Sequence, residues 1–313
     1  MTPPAFLFAG QLAESSGMGR DFYDALPEAR ELFDRTSEAC GVDLASALFE
    51  GTEAVWRQNR VAQPAVFLVS VLANRELSRR GITPSAIAGY SLGNYAALVA
   101  ARAVSFDDAL KVLLAVLDES DRLGIRGAMG AVIGLSIADV EGECARARSE
   151  GLSVWIGNVN AATQLVLTGS EDGVDSVLAA VSARSMKAVR LPMSWPIHSP
   201  LMEEVCRRIA PVVARCESVR SPEVAFYAGH TSSRVQTREE MADLLVRQAS
   251  LPSRWKETVE AMVHDGRREF IEVGPGETLS RMLRWIARDA SCRPAGTLAG
   301  IEAIVGKGEI LGG

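Results

Sequence analysis

Gly89-Tyr90-Ser91-Leu92-Gly93 places a serine between two glycines, where a short apolar run ending in Ile87-Ala88 meets a helix-forming run from Asn94 to Ala101. A strand that reverses directly into a helix holds such a serine in a strained backbone conformation, and the flanking glycines keep side chains out of the turn. The spacing predicts that Ser91 projects from the tip of the turn as a nucleophile. The Leu92 N–H then lies at the positive end of the helix that follows, where a negative oxygen formed during acyl transfer is stabilised. A serine nucleophile needs a base, and the chain offers three histidines. His198 lies in Trp195-Pro196-Ile197-His198-Ser199-Pro200-Leu201-Met202, where two prolines restrict the backbone and Pro200 is suited to open a helix. Such a loop can hold an imidazole in one orientation. His230 sits in a glycine-flanked turn, and His264 follows an amphipathic helix just before Asp265-Gly266. A lone histidine is more often structural than catalytic, so the residues alone do not choose among the three.

The elements around these residues alternate between strand-like and helical runs, as in an α/β architecture. From Ala62 a largely apolar helix runs to Arg80 and is ended by Gly81, and Ile82 to Ser91 forms the strand and turn that carry the serine. The segment 127–191 has a different rhythm. Ala128 to Leu135 reads as a strand, with Ser136 as the N-cap of a helix after it. Val154–Asn160 and Gln164–Gly169 pair as strands, Ser170-Glu171-Asp172-Gly173 opens a second helix, and Lys187–Leu191 is a last strand. That β-α-β-β-α-β order is ferredoxin-like and predicts a small subdomain over 127–191, inserted in a large domain made of 1–126 and 192–313. The insertion forms one wall of a cleft, and the glycine-containing tail Val305–Gly313 is expected to fray.

Composition narrows the function classes. The chain has 313 residues, 48% of them hydrophobic and 23% charged, enough for one sizeable domain and a smaller one. A net charge of −6 disfavours general nucleic-acid binding. The apolar stretch within Met1–Gly10 is short and has no basic start, so it reads as a buried first strand rather than a signal peptide. No run approaches the roughly 20 apolar residues that span a bilayer. Five scattered cysteines, Cys40, Cys144, Cys206, Cys216 and Cys292, lack metal-ligand spacing and point to free thiols in a reducing cytoplasm, with no metal site.

Six motifs in order carry a more specific resemblance that covers nearly the whole chain. They are Phe8-Ala9-Gly10-Gln11 with Gly17-Met18-Gly19, Gln63-Pro64-Ala65, Gly89 to Gly93, Asn158-Val159-Asn160, His198-Ser199-Pro200-Leu201-Met202, and Glu272-Val273-Gly274-Pro275-Gly276. In these the chain resembles the malonyl-CoA:acyl-carrier-protein transacylase family, which includes the acyltransferase domains of polyketide synthases. The resemblance implies an α/β-hydrolase-like large domain with an inserted ferredoxin-like subdomain. It further implies a Ser91–His198 dyad, with the second ring nitrogen of His198 held by the main-chain carbonyl of Gln248, and an oxyanion hole from the N–H groups of Gln11 and Leu92. A carbonyl fixes the imidazole tautomer as a carboxylate would, with less stabilisation of the imidazolium. The implied reaction is ping-pong, from a CoA or carrier-protein thioester through acyl-Ser91 to the phosphopantetheine thiol of an acyl-carrier protein. No permanently bound cofactor, metal, nucleic acid or membrane is involved.

Departures from the family pattern fall in the substrate pocket, expected to include Leu12, Gln63, Tyr90, Val116, Asn160 and Ile197. Malonyl-handling members carry an arginine that clamps the substrate carboxylate, and an ungapped match places Val116 there. Arg122, six residues on, lies about 9 Å further along a helix. Tyr90 stands in place of a histidine, Leu12 of a glycine, Asn94 of a glutamate and Ile197 of a phenylalanine. Burying a carboxylate without its partner costs about 3–5 kcal/mol, so the sequence predicts a neutral acyl or aminoacyl unit. Three readings follow: an acyltransferase in polyketide or fatty-acid assembly, an editing hydrolase that admits water to the same acyl-serine, and a catalytically silent scaffold. Keeping both Ser91 and His198 argues against the last. For docking an acidic carrier protein, Arg281, Arg284 and Arg288 recur at i, i+3 and i+7 on one predicted helix, and Arg207 and Arg208 follow the His198 loop.

Overall fold

Among the described residues, 3–310 of a computed structural model, the strands are β1 (Ala5–Phe8), β2 (Ala86–Gly89), β3 (Ala128–Ile133), β4 (Val154–Ala161), β5 (Gln164–Gly169), β6 (Lys187–Arg190), β7 (Ala225–Ala228), β8 (Ser233–Val235), β9 (Glu269–Val273) and β10 (Ser291–Pro294). Six of them form one sheet in the order β10-β9-β1-β2-β7-β8, parallel except where β8 turns back on β7. Its central strand β1 is Ala-Phe-Leu-Phe and is buried along its whole length, as a parallel strand covered on both faces must be. Phe6 and Phe8 point into the larger core with Ile87, Phe226 and Ile271, while Ala5 and Leu7 point to the opposite layer with Ala88, Tyr227 and Trp255.

The long helix Asn59–Arg79 fills the space behind β1 and is buried nearly all round. It begins three residues before the expected Ala62, at Asn59, which sets Pro64 just beyond the first turn. Glu272, from the Glu-Val-Gly-Pro-Gly motif, is fully buried, and its carboxylate accepts the Leu279 and Ser280 N–H groups at 2.9 and 2.8 Å. The motif therefore caps the helix Thr278–Ile286.

The remaining four strands form a separate antiparallel sheet in the order β4-β5-β3-β6. Helices Ile137–Ser149 and Glu171–Val181 cover one face, and Ser136 and Ser170 cap them through the N–H groups of Asp139 and Gly173. Ala128, Val132, Leu165 and Leu167 face those helices and make the core of this unit. The result is the expected fold: a large α/β-hydrolase-like domain with a small ferredoxin-like subdomain.

Two sequence expectations are corrected here. Where a fraying tail is expected from Val305, the helix Leu298–Ile310 continues, with Ile301 and Ile304 of its first half buried; residues 311–313 lie outside the described residues. The helix bearing Arg281 and Arg284 ends at Ile286, where Ala287 turns extended, so Arg288 lies beyond it.

Candidate active site

β2 delivers the chain to Ser91, whose φ of 53° lies in the left-handed region. A serine pays about 1–3 kcal/mol to sit there, and the surrounding packing over-determines the turn. Helix Gly93–Ala100 follows at once. A Cβ at Gly93 would collide with the Phe8 carbonyl oxygen, and one at Gly89 with the Asn94 backbone. Both glycines are therefore required by the close approach of backbones. The Leu92 N–H sits at the start of that helix, and the Gln11 N–H lies on the loop after β1; both residues line the same cavity as Ser91.

His198 approaches from the loop between β6 and the 3₁₀ turn Pro200–Met202, also with left-handed backbone, φ 66°. Its Nε2 lies 2.7 Å from Ser91 Oγ. Its Nδ1 lies 2.9 Å from each of two main-chain carbonyls, Gln248 and Leu251. Only a protonated Nδ1 can satisfy two carbonyl acceptors, which leaves Nε2 free to accept the serine proton. The loop is pinned on three sides. His198 N–H donates to the Ala249 carbonyl at 2.6 Å, Ser199 Oγ to the Pro196 carbonyl at 2.6 Å, and Thr168 Oγ1 of β5 to the Ile197 carbonyl at 2.7 Å. Burial lowers the His198 pKa from its ordinary value, opposed by the two carbonyls, so the ring is neutral near pH 7.

Gln11, Leu12, Gln63, Tyr90, Val116 and Ile197 line one cavity with Ser91, Leu92, His198 and Gln248. Asn160 does not line it. Instead the Tyr90 hydroxyl donates to Asn160 Oδ1 at 2.9 Å, and Asn158, which does line the cavity, donates through Nδ2 to the Tyr90 hydroxyl oxygen at 3.2 Å. Burial holds the Tyr90 hydroxyl pKa up, to about 12, so it stays a donor at any working pH. Gln63 Nε2 donates to Gln11 Oε1 at 3.1 Å and Gln11 Nε2 to Asn59 Oδ1 at 2.8 Å, which fixes the loop bearing the Gln11 N–H. Leu12 carries φ 71°, and its N–H donates to Glu14 at 2.7 Å. Asn94 is buried and donates to Gln248 Oε1 at 3.0 Å, coupling the helix after Ser91 to the segment that holds His198.

Leu251 was missed by the sequence reading, as were Met129, Val166, Leu191 and Met193 in the cavity wall. The alternation of β3 and β5 was the available signal for two of them: Met129 and Val166 fall on the strand positions opposite the subdomain core. Among the described residues, no lysine or arginine lines this cavity. Arg122 is exposed and paired with Glu119 at 2.9 Å, and Arg126 donates to its neighbouring carbonyl, Ile125.

Of the other two histidines, His230 lines a second small cavity with Ser91 and His198, while His264 lines neither cavity. His230 lies 3.7 Å from Asp243, and His264 is an exposed helix-end residue beside Asp265. Of the docking arginines, Arg207 and Arg208 both bind Glu204, at 2.5 and 2.8 Å, and hold its pKa down to about 2. Arg281, Arg284 and Arg288 line a surface pocket with Trp285, which is 72% exposed. Among the described residues, no group of three or more His, Cys, Asp or Glu side chains is placed to hold a metal, and no helix is long and apolar enough to cross a membrane.

A strained serine on a strand-to-helix turn, with a tautomer-fixed neutral imidazole 2.7 Å from its Oγ, is the geometry of a serine acyl-transfer enzyme. Comparison with known proteins agrees: residues 5–301 match the acyl transferase domain family, and the chain belongs to it. The chain is 32% identical over 294 residues to the malonyl CoA-acyl carrier protein transacylase of Bacillus subtilis, covering 92% of each. It superposes on the malonyl CoA-acyl carrier protein transacylase of Coxiella burnetii with a TM-score of 0.91 at 30% identity, covering 98% of each chain. It also matches a malonyl-transacylase solved in complex with its type II polyketide synthase acyl-carrier protein, with a TM-score of 0.92 at 28% identity, covering 97% and 99%. The chain is an acyltransferase of the acyl-carrier-protein type.

Proposed function

We propose that this acyltransferase moves a neutral acyl unit, through acyl-Ser91, from a CoA or carrier-protein thioester to the phosphopantetheine thiol of an acyl-carrier protein. His198 Nε2 takes the Ser91 proton as Oγ attacks the thioester carbonyl. The oxygen of the tetrahedral intermediate is held by the Gln11 and Leu92 N–H groups, and collapse expels the first thiolate, which takes the proton back from His198. In the second half His198 deprotonates the carrier thiol, which attacks the acyl-serine; the proton then returns to Ser91. Proton and charge balance within each half, so the reaction needs no permanently bound cofactor.

The observation that carries the neutral-acyl reading is the cavity beside Ser91. Val116 stands in it where the family resemblance sets the carboxylate-binding arginine, and no cationic side chain among the described residues replaces it. A malonyl carboxylate there would be buried without a partner, at about 3–5 kcal/mol, or a few hundred-fold or more in preference. The relatives are named for malonyl transfer, which makes that substrate the alternative to be tested. The carrier protein docks, in this reading, on the exposed Arg281, Arg284, Trp285 and Arg288 cluster. Arg207 and Arg208 share the single carboxylate of Glu204, which partly offsets their charge, as Glu277 at 3.4 Å offsets Arg281; Arg284 and Arg288 add to the second cluster.

Intact-mass measurement of Ser91 loading from a panel of acyl thioesters, followed by a chase, tests the assignment. Neutral acyl adducts that are stable in buffer and discharged by holo-carrier protein support transfer. Discharge by buffer alone at the same rate would make the chain an editing hydrolase.

A further inference from the structure

The cavity beside Ser91 is closed on its far side by the small subdomain. On β3, Ala128 and Val132 face the subdomain's own core, so Met129 between them faces the other way. On β5 the same alternation turns Leu165 and Leu167 inward and Val166 outward. The antiparallel register sets Met129 against Thr168 and Ala131 against Val166, which puts Met129 and Val166 on one sheet face, toward Ser91. The Leu191 N–H then donates to the Met129 carbonyl at 2.9 Å and the Met193 N–H to the Leu191 carbonyl at 2.8 Å. These bonds fold the chain after β6 back over the cavity, with Met129 buried and Met193 half-buried in its wall.

The space left is small. The cavity volume is about 90 Å³, against the roughly 150 Å³ of an apolar cavity that holds a benzene molecule. Methionine is unbranched and flexible, and it closes irregular gaps where a branched side chain would leave a fixed space.

We infer that Met129 and Met193 set the length of the acyl chain, limiting it to short straight chains of roughly two to four carbons. This rests on the neutral-acyl reading and adds the substrate's size to it. Each methionine removes from the cavity the three side-chain atoms beyond Cβ that an alanine would leave open. Since one methylene in an apolar pocket is worth about tenfold or more in kcat/KM, either truncation should be visible in the chain-length profile.

The test is a set of acetyl, butyryl, hexanoyl, octanoyl and malonyl thioesters of N-acetylcysteamine, with loading rates followed by intact mass. Wild type is expected to load octanoyl at least about tenfold more slowly than acetyl, and Met129→Ala or Met193→Ala to raise the octanoyl-to-acetyl ratio at least about tenfold. Truncating buried Met129 lowers stability; Met193 is partly exposed, and a ratio of two substrates does not depend on the folded fraction. A ratio unchanged in both variants, or wild-type loading of octanoyl as fast as acetyl, would overturn the assignment. Malonyl loading faster than every neutral thioester would instead remove the neutral-acyl reading, while the octanoyl-to-acetyl ratio would still judge the two methionines.

Discussion

Ser91 and His198 both hold left-handed backbone, φ 53° and 66°, and meet at 2.7 Å between Oγ and Nε2. Neither conformation is favourable for an L-residue alone, at about 1–3 kcal/mol each. The Phe8 carbonyl packed on Gly93 fixes the serine turn, and Ala249 and Thr168 fix the histidine loop. The dyad is thus assembled by packing before any substrate arrives.

Ser91→Ala is expected to abolish the acyl-enzyme adduct, and His198→Ala to slow its formation by about a hundredfold or more, both with native circular dichroism. Normal mass-shifted adduct in the Ser91→Ala protein would remove the nucleophile assignment.

The lowered His198 pKa gives a pH profile. The neutral ring is the base, so loading rises with pH through the folded pKa and is level above it; the acid midpoint should fall below the ordinary histidine value of about 6.5. For stability the sign is the same. Below about pH 6.5 the unfolded chain binds a proton that the folded His198 resists, so this residue's contribution is lost as the pH falls. An acid midpoint above 7 in single-turnover loading would mean that an unrecognised negative charge faces the ring.

The serine turn was legible in the sequence because strained strand-to-helix junctions demand glycines at fixed positions, and the β-α-β-β-α-β order of the subdomain followed from its alternating runs and its serine caps. His198 could be chosen over His230 and His264 only through the family resemblance, since its carbonyl partners, Gln248 and Leu251, are distant in sequence. The motif alone does not distinguish Asn158, which lines the cavity, from Asn160, which holds the Tyr90 hydroxyl; simple alternation fails here because the register of β4 shifts on both sides of Asn158–Val159. That Glu204 pairs with both Arg207 and Arg208 is not apparent from the basic pair alone; it follows from the helix, which sets the three residues within one turn.

Thr168 is fully buried and ties the subdomain to the histidine loop through the Ile197 carbonyl. Thr168→Val keeps the shape and removes the donor, and should cost about 1–3 kcal/mol of stability with a larger fall in loading rate than the melting shift alone explains. Unchanged melting and loading would show that the two domains hold the loop without it.

Reversing Arg281 and Arg284 to glutamate should lower transfer to a holo-carrier protein at least tenfold more than it lowers loading from a small thioester, with the gap shrinking at high salt. Equal losses with both substrates would place the docking surface elsewhere.

The proposed selectivity for a neutral acyl group rests on the uncharged cavity beside Ser91. Its most direct measurement is kcat/KM of the wild-type enzyme for malonyl-CoA against acetyl- or butyryl-CoA, repeated with Val116→Arg and with folding checked by thermal melting. At least about a hundredfold preference for the neutral thioester is expected, narrowed by the arginine. Efficient malonyl loading by wild type would contradict it.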